Sequence, residues 1–163
     1  MKTLIMVCGV PGSGKTTWIK NSQKNHGGVH ISRDEIRFSM VSEEEEYFSK
    51  ETEVFDTFLQ KIQDAIDAEE EIIYIDATHI SRHSRKQVLG VLDLKDYHLV
   101  YVEFRVPYDI CIKQNNKRTG RAKVPENVIR RMYWQQNWIY DKYGKYDFIV
   151  KTIAPKQKNE EVK

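Results

Sequence analysis

Residues 9–17 read GVPGSGKTT and hold the spacing Gly9-x-x-x-x-Gly14-Lys15-Thr16. Glycines let a backbone wrap closely around an anion, so that successive N–H groups point at phosphate oxygens. Lys15 then supplies a cation for the β- and γ-phosphates, and the Thr16 hydroxyl a hard oxygen for Mg²⁺. Gly9, Pro11, Gly12, Ser13, Gly14, Lys15, Thr16 and Thr17 are the candidate nucleotide-binding residues. Such a motif carries weight only between a strand and a helix. Here an apolar run, 4–8, precedes it and a helix-capable segment, 16–22, follows. The expected ligand is a nucleoside triphosphate. ATP is favoured because Asn116-Lys117-Arg118-Thr119 lacks the Asp of a guanine-reading N-K-x-D.

Three further segments carry reactive side chains. Ser32-Arg33-Asp34-Glu35-Ile36-Arg37 puts Asp34 three residues before Arg37, on one side of a helix's first turns. Phosphoryl transfer needs a carboxylate to take the acceptor's proton and cations to balance charge, and Asp34 and Arg37 suit those tasks. Ile75-Asp76-Ala77-Thr78-His79 ends another apolar run. Asp76 there can accept from Thr16 or hold a Mg²⁺-bound water, so Thr16 and Asp76 form the candidate metal pair. His79 and His83 lack the Glu of HExxH and any nearby Cys, which argues against zinc. His79 is expected to touch substrate or cap the next helix. KQNNKRTGRAK, from 113 to 123, reads as a basic mobile lid that brings Arg118, with Arg121, onto the triphosphate. An arginine fork matches developing phosphoryl charge where a lysine does not.

Positioning these residues takes strands and helices in alternation. Apolar runs at 4–8, 29–31, 72–75, 99–104 and 147–150 fit five strands. Val54, Phe55, Phe58, Leu59, Ile62 and Ile66 recur at helical spacing. Ser81 is an N-cap candidate before Val88, Leu89 and Leu92. Pro107 opens a helix with Ile110, Cys111 and Gln114, and Pro125 opens another with Val128, Ile129, Met132, Gln136 and Ile139, stopping at Gly144. The expectation is an α/β fold of the P-loop NTPase type. It has a five-stranded parallel sheet, helices on both faces and a helical lid, with functional loops at the strands' carboxyl ends.

The chain has 163 residues, 40% apolar and 31% charged, which fits one soluble domain, 1–153, with a lid at about 113–124 and a flexible tail over 154–163. No apolar run reaches membrane-spanning length and no secretory h-region precedes the first strand. Cys8 and Cys111 read as buried reduced thiols, so a cytoplasmic location without membrane contact is expected. The net charge of +2 hides a segregation: 43–71 holds 12 acids against two lysines, and 113–131 holds 7 bases against Glu126. A basic cluster beside a triphosphate site suits phosphates. The sequence leaves a homo-oligomer open.

These segments, in this order, resemble the kinase domain of bacteriophage polynucleotide 5′-kinases, from the first strand to about Tyr133. The family's PGSGK followed by Ser or Thr matches Pro11 to Thr16, and its R-D-x-x-R matches Arg33 to Arg37. Its lid pattern, N-x-K-R then V-P, matches Asn115 to Arg118 and Val124-Pro125, and its V-P-[WY] matches Val106-Pro107-Tyr108. The resemblance implies ATP and Mg²⁺ as cofactors and nucleic-acid 5′ ends as acceptors. It also implies Asp34 as general base and Arg37 on an acceptor phosphate; Arg33, Thr78 and His79 complete the candidate substrate-binding set. The chain departs from the family in three places. Asp76-Ala77-Thr78-His79 shifts the carboxylate one position, Gln114 replaces a lid cation, and no DxDGT phosphatase motif is present. A nucleoside or small-molecule kinase is the alternative, favoured by the repulsive run Glu43 to Glu46. A nucleotide-binding regulatory module is the second alternative.

Overall fold

Along β1 (Lys2–Cys8) the side chains alternate between two apolar cores. Leu4, Met6 and Cys8 enter one, while Ile5 and Val7 enter the other. β3 (Ile72–Asp76) and β4 (Tyr97–Phe104) divide in the same way: Ile73, Ile75, Leu99 and Tyr101 on one side, Tyr74, Val102 and Phe104 on the opposite side. A sheet buried on both faces needs helices on both, and the intervening sequence supplies them. The computed structural model describes residues 1–94, 96–138 and 148–154, with 148–151 by backbone alone.

The first core is closed by α2 (Arg33–Met40), α3 (Glu51–Asp67) and α4 (Arg82–Leu89), through Ile36, Val54, Phe58, Ile62 and Val88. The second is closed by α1 (Lys15–His26), α5 (Tyr108–Asn116) and α6 (Glu126–Gln135), through Ile19, Cys111 and Ile129. With β2 (Val29–Ser32) and β5 (Phe148–Ile153) the sheet is five-stranded and wholly parallel, in the order β2-β3-β1-β4-β5. The expected α/β architecture is the observed one. Chain connections leave β1 toward β2 and β3 on one side and β4 and β5 on the other, so the loop after β1 lies at the switch point where such sheets bind ligands.

Ser81 does cap α4, in a reciprocal capping box with Ser84, and Pro107 and Pro125 sit at the N-caps of α5 and α6. Two expectations change. Lys113 to Asn116 belong to α5, so the basic connection begins at Lys117 and carries a short 3₁₀ turn, Gly120–Ala122. α6 stops at Gln135, with Gln136 extended as its C-cap. Ile139, Gly144, Asp147 and residues 155–163, on which other expectations fell, lie outside the described residues. No helix among the described residues is long and apolar enough to cross a membrane.

Candidate active site

The loop between β1 and α1 is built by two glycines in the left-handed region, Gly12 (φ 82°) and Gly14 (φ 93°). At Gly12 a Cβ would also overlap the carbonyl oxygen of Cys111, so the loop lies directly on α5. Gly9 donates its N–H to the Thr78 carbonyl at 2.8 Å, tying the loop to the end of β3. Lys15 is buried and folds back, its Nζ donating to the Val10 carbonyl at 2.9 Å and lying 3.5 Å from Ser13 Oγ. Burial lowers its pKa, partly offset by Asp76 and Asp34, and the Arg118 charge lowers it further. Arg118 therefore stands within electrostatic reach of the loop.

Thr16 Oγ1 donates to Asp76 Oδ2 at 2.9 Å. His30 Nε2 donates to the same oxygen at 2.8 Å. Burial would raise the Asp76 pKa, but His30, Lys15 and Thr16 together hold it below the usual value. A hydroxyl and an ionised carboxylate within 3 Å are the hard oxygen donors that Mg²⁺ takes beside phosphates. The residues fit that ion. His30 had no signal of its own in the sequence. It stands on β2 opposite Tyr74, one diagonal step from Asp76, and the pairing of β2 with β3 brings it there.

Asp34 and Arg37 lie at the start of α2, which Ser32 caps by accepting from the Glu35 N–H. Arg37 is buried and heavily engaged. Its Nη1 donates to Asp34 Oδ1 at 2.6 Å and to Tyr47 at 3.4 Å, while Nε and Nη2 grip both oxygens of Glu51 at 3.0 and 2.7 Å. Burial opposes this guanidinium's charge, but Glu51, Tyr47 and Asp34 raise its pKa overall. Arg33 donates to the same Glu51 at 2.7 Å and lies over the Phe55 ring. Glu51, from the start of α3, is, like His30, a residue that sequence reasoning missed. Burial would raise its pKa, yet the two arginines hold it low.

These groups line a cleft of about 250 Å³ that runs from Pro11 past Asp34, Arg37, Thr78 and His79 to Tyr47 and Phe48. The Asp34 carboxylate remains 67% exposed within it. A larger groove of about 480 Å³ follows β2 and α3 and reaches His30, away from the glycine loop. The basic connection meets the smaller cleft at its end, through Val124. Asn115 pins its two ends, donating to the Val124 carbonyl at 2.7 Å and accepting from the Val124 N–H at 3.0 Å. Arg121 does not turn toward the glycine loop. It donates to the Val41 carbonyl and, at 3.1 Å, to that of Phe38, and it stacks on the Phe38 ring. The last carbonyls of α2 carry the negative end of the helix dipole and draw this cation away from the phosphate position.

His79 is 3% exposed, with backbone φ 42°. Its Nδ1 donates to the Val7 carbonyl at 2.8 Å, and its Nε2 is buried without a hydrogen-bond partner among the described residues. Burial pushes its pKa down from 6.5 to about 4. Between those values the unfolded chain takes up a proton that the folded chain refuses, so stability falls as pH drops through that window, by about 3 kcal/mol in all. His79→Asn keeps a side chain that tolerates positive φ and can reach Val7, but it does not titrate. Urea unfolding at pH 7 and in mild acid is expected to show a steeper acid loss for the native chain than for this variant. Equal losses would place the proton elsewhere.

Residues 4–136 match the family described as AAA domain. Solved structures share the fold. A sugar kinase from Janibacter sp. aligns with 93% of this chain and 86% of its own at 15% identity, TM-score 0.65. A gluconokinase from Sinorhizobium meliloti aligns over 94% and 83% at 16% identity, TM-score 0.59. A chain of the Pnkp1/Rnl/Hen1 RNA repair complex aligns over 82% of this chain and 43% of its own at 19% identity, TM-score 0.67.

Proposed function

The chain belongs to the AAA-domain family, and on that premise we propose that it is an ATP-dependent kinase acting on the 5′-hydroxyl of a polynucleotide. One observation carries the reading: an exposed carboxylate, Asp34, stands in a cleft that opens from the glycine loop and ends at an exposed aromatic, Phe48. That arrangement suits a hydroxyl at the carboxylate with its base stacked beyond.

Loop N–H groups and Lys15 hold the triphosphate, Lys15 leaving the Val10 carbonyl to reach it. Thr16 and Asp76 would hold Mg²⁺, which neutralises phosphate charge when bound. The acceptor oxygen bonds to the γ-phosphorus as its proton passes to Asp34. The bond from that phosphorus to the β–γ bridging oxygen breaks, and ADP leaves. Arg37 aims Asp34 through its 2.6 Å hydrogen bond and is the cation there to meet an acceptor phosphate. Arg118 clamps the phosphoryl group from the basic connection, which acts as a lid. Transfer of labelled γ-phosphate to a short 5′-hydroxyl oligonucleotide tests the reading. Labelling of a sugar or nucleoside with none of the oligonucleotide would overturn it.

A second reading, a small-molecule kinase, is favoured by Glu51. Arg33 and Arg37 meet Asp34 and Glu51, two charges against two, which leaves the cleft without net attraction for a polyanion. Salt separates the two: a polynucleotide held through several phosphates weakens steeply as salt rises, a neutral acceptor does not.

Arg118→Lys is expected to lose most turnover under either acceptor, because an ammonium does not reproduce the guanidinium fork. Wild-type rates from this variant would make Arg118 a solvated loop residue.

A further inference from the structure

We propose that the outer face of α6, built on Trp134 with Arg130 and Arg131, is the track for the single-stranded nucleotides that follow the acceptor's 5′ end. This rests on the polynucleotide reading and deepens it. The rotation of α6 is fixed by its packing. Val128 and Met132 line the acceptor cleft, Ile129 is buried in the second core, and Tyr133 packs edge-on to Tyr108 with ring centroids 5.6 Å apart. Asn127, Arg130, Arg131 and Trp134 are then left outside, and all four are exposed.

Trp134 is 79% exposed, more than any other large apolar residue described except Met1. A single exposed apolar side chain needs no explanation by itself. Its neighbours give this one a meaning. Arg130 and Arg131 stand four and three residues before it, the spacings that bring side chains together on a helix surface. Tyr133 meets the indole edge-on at 5.8 Å and 89°, which restrains the ring. The face's one acid, Glu126, sits a turn away, 3.5 Å from Arg130 and accepting from Tyr108. A restrained aromatic beside two guanidinium groups is the combination that holds single-stranded nucleic acid, stacking a base while cations track the backbone.

Charge also selects the direction. The opposite lip of the cleft carries Tyr47 and Phe48, which follow the run Glu43 to Glu46, and that run repels phosphates. The basic lip is α6. A strand with its 5′ end at Asp34 leaves the cleft over Val128 and Met132 and meets Arg131 and Trp134 next.

The test compares KM for a 5′-hydroxyl dinucleotide, which ends before the track, with KM for a long single-stranded oligonucleotide. Trp134→Ala is expected to raise the ratio of the long to the short KM about tenfold, with Trp134→Phe restoring most of the difference. Replacing Arg130 and Arg131 by Gln is expected to lower the salt slope for the long acceptor by about 1.4, two phosphates' worth, and to leave the slope for the dinucleotide alone. An unchanged ratio, or equal change at both lengths, overturns the track while the kinase reading stands. A wild-type protein that labels neither acceptor overturns the polynucleotide reading, and the track with it.

Discussion

Asp34→Asn is expected to cut transfer to the acceptor by about 10²–10⁴-fold, the usual cost of removing a general base, while ATP binding survives. The structure separates the two effects. Among the described residues Asp34 forms no hydrogen bond to the glycine loop or to the Thr16–Asp76 pair; its hydrogen-bond partner is Arg37, at 2.6 Å. The amide oxygen of Asn can still accept from Arg37, so the buried guanidinium keeps a partner there and two on Glu51. The fold should therefore hold and the thermal midpoint should barely move. A hydroxyl hydrogen-bonded to the amide is oriented but keeps its proton, which leaves a small residual rate. Nucleotide affinity by competition and single-turnover transfer, measured side by side, check this. Parallel loss of both would make Asp34 a metal or structural residue, and unchanged turnover would leave the proposed chemistry without its base.

How far the sequence could foresee this site depends on whether a contact is local. Gly12, Gly14, Lys15 and Thr16 follow from one loop's spacing, and Asp34 with Arg37 from one helical turn. Asp76 was legible as a carboxylate at a strand tip, and its bond to Thr16 followed from the motif. His30 and Glu51 were not legible, because each matters through a partner on another element. His30 reaches Asp76 only once β2 lies beside β3, and Glu51 reaches Arg33 and Arg37 only once α3 crosses α2. The partners of Arg121 were hidden for the same reason: charge alone pointed it at phosphates, and its bonds to the two carbonyls at the end of α2 appear only in three dimensions. Asn115 looked like one letter of a lid pattern; its clamp on Val124 is visible only in three dimensions. α6 came out shorter than its apolar spacing suggested, since Gln136 turns extended and the Asn137 N–H bonds the Ile80 carbonyl at 2.7 Å.

Lys15→Met is expected to reduce phosphoryl transfer by about 10²–10³-fold, the range seen when one preorganised charge donor is lost, and to leave the protein folded. Met keeps the apolar stem that fills the loop and discards only the ammonium. Lys15 is 8% exposed, and its ammonium is partnered by the Val10 carbonyl and, more distantly, Ser13, with no carboxylate paired to it among the described residues. Burial lowers its pKa from 10.5, which means that the charged form is disfavoured in the fold. The unfolded chain therefore binds the proton more tightly, and native stability rises with pH between the lowered folded pKa and 10.5. Lys15→Met should consequently be at least as stable as the native chain at neutral pH, and the difference should shrink as pH rises toward 10.5. Such a result would mark Lys15 as a residue kept for phosphate at some cost to the fold. Thermal unfolding across that pH range, beside labelled transfer at pH 7, checks both halves. Full activity in the variant would remove the glycine loop from the chemistry. Marked destabilisation at neutral pH would instead make the Val10 contact structural.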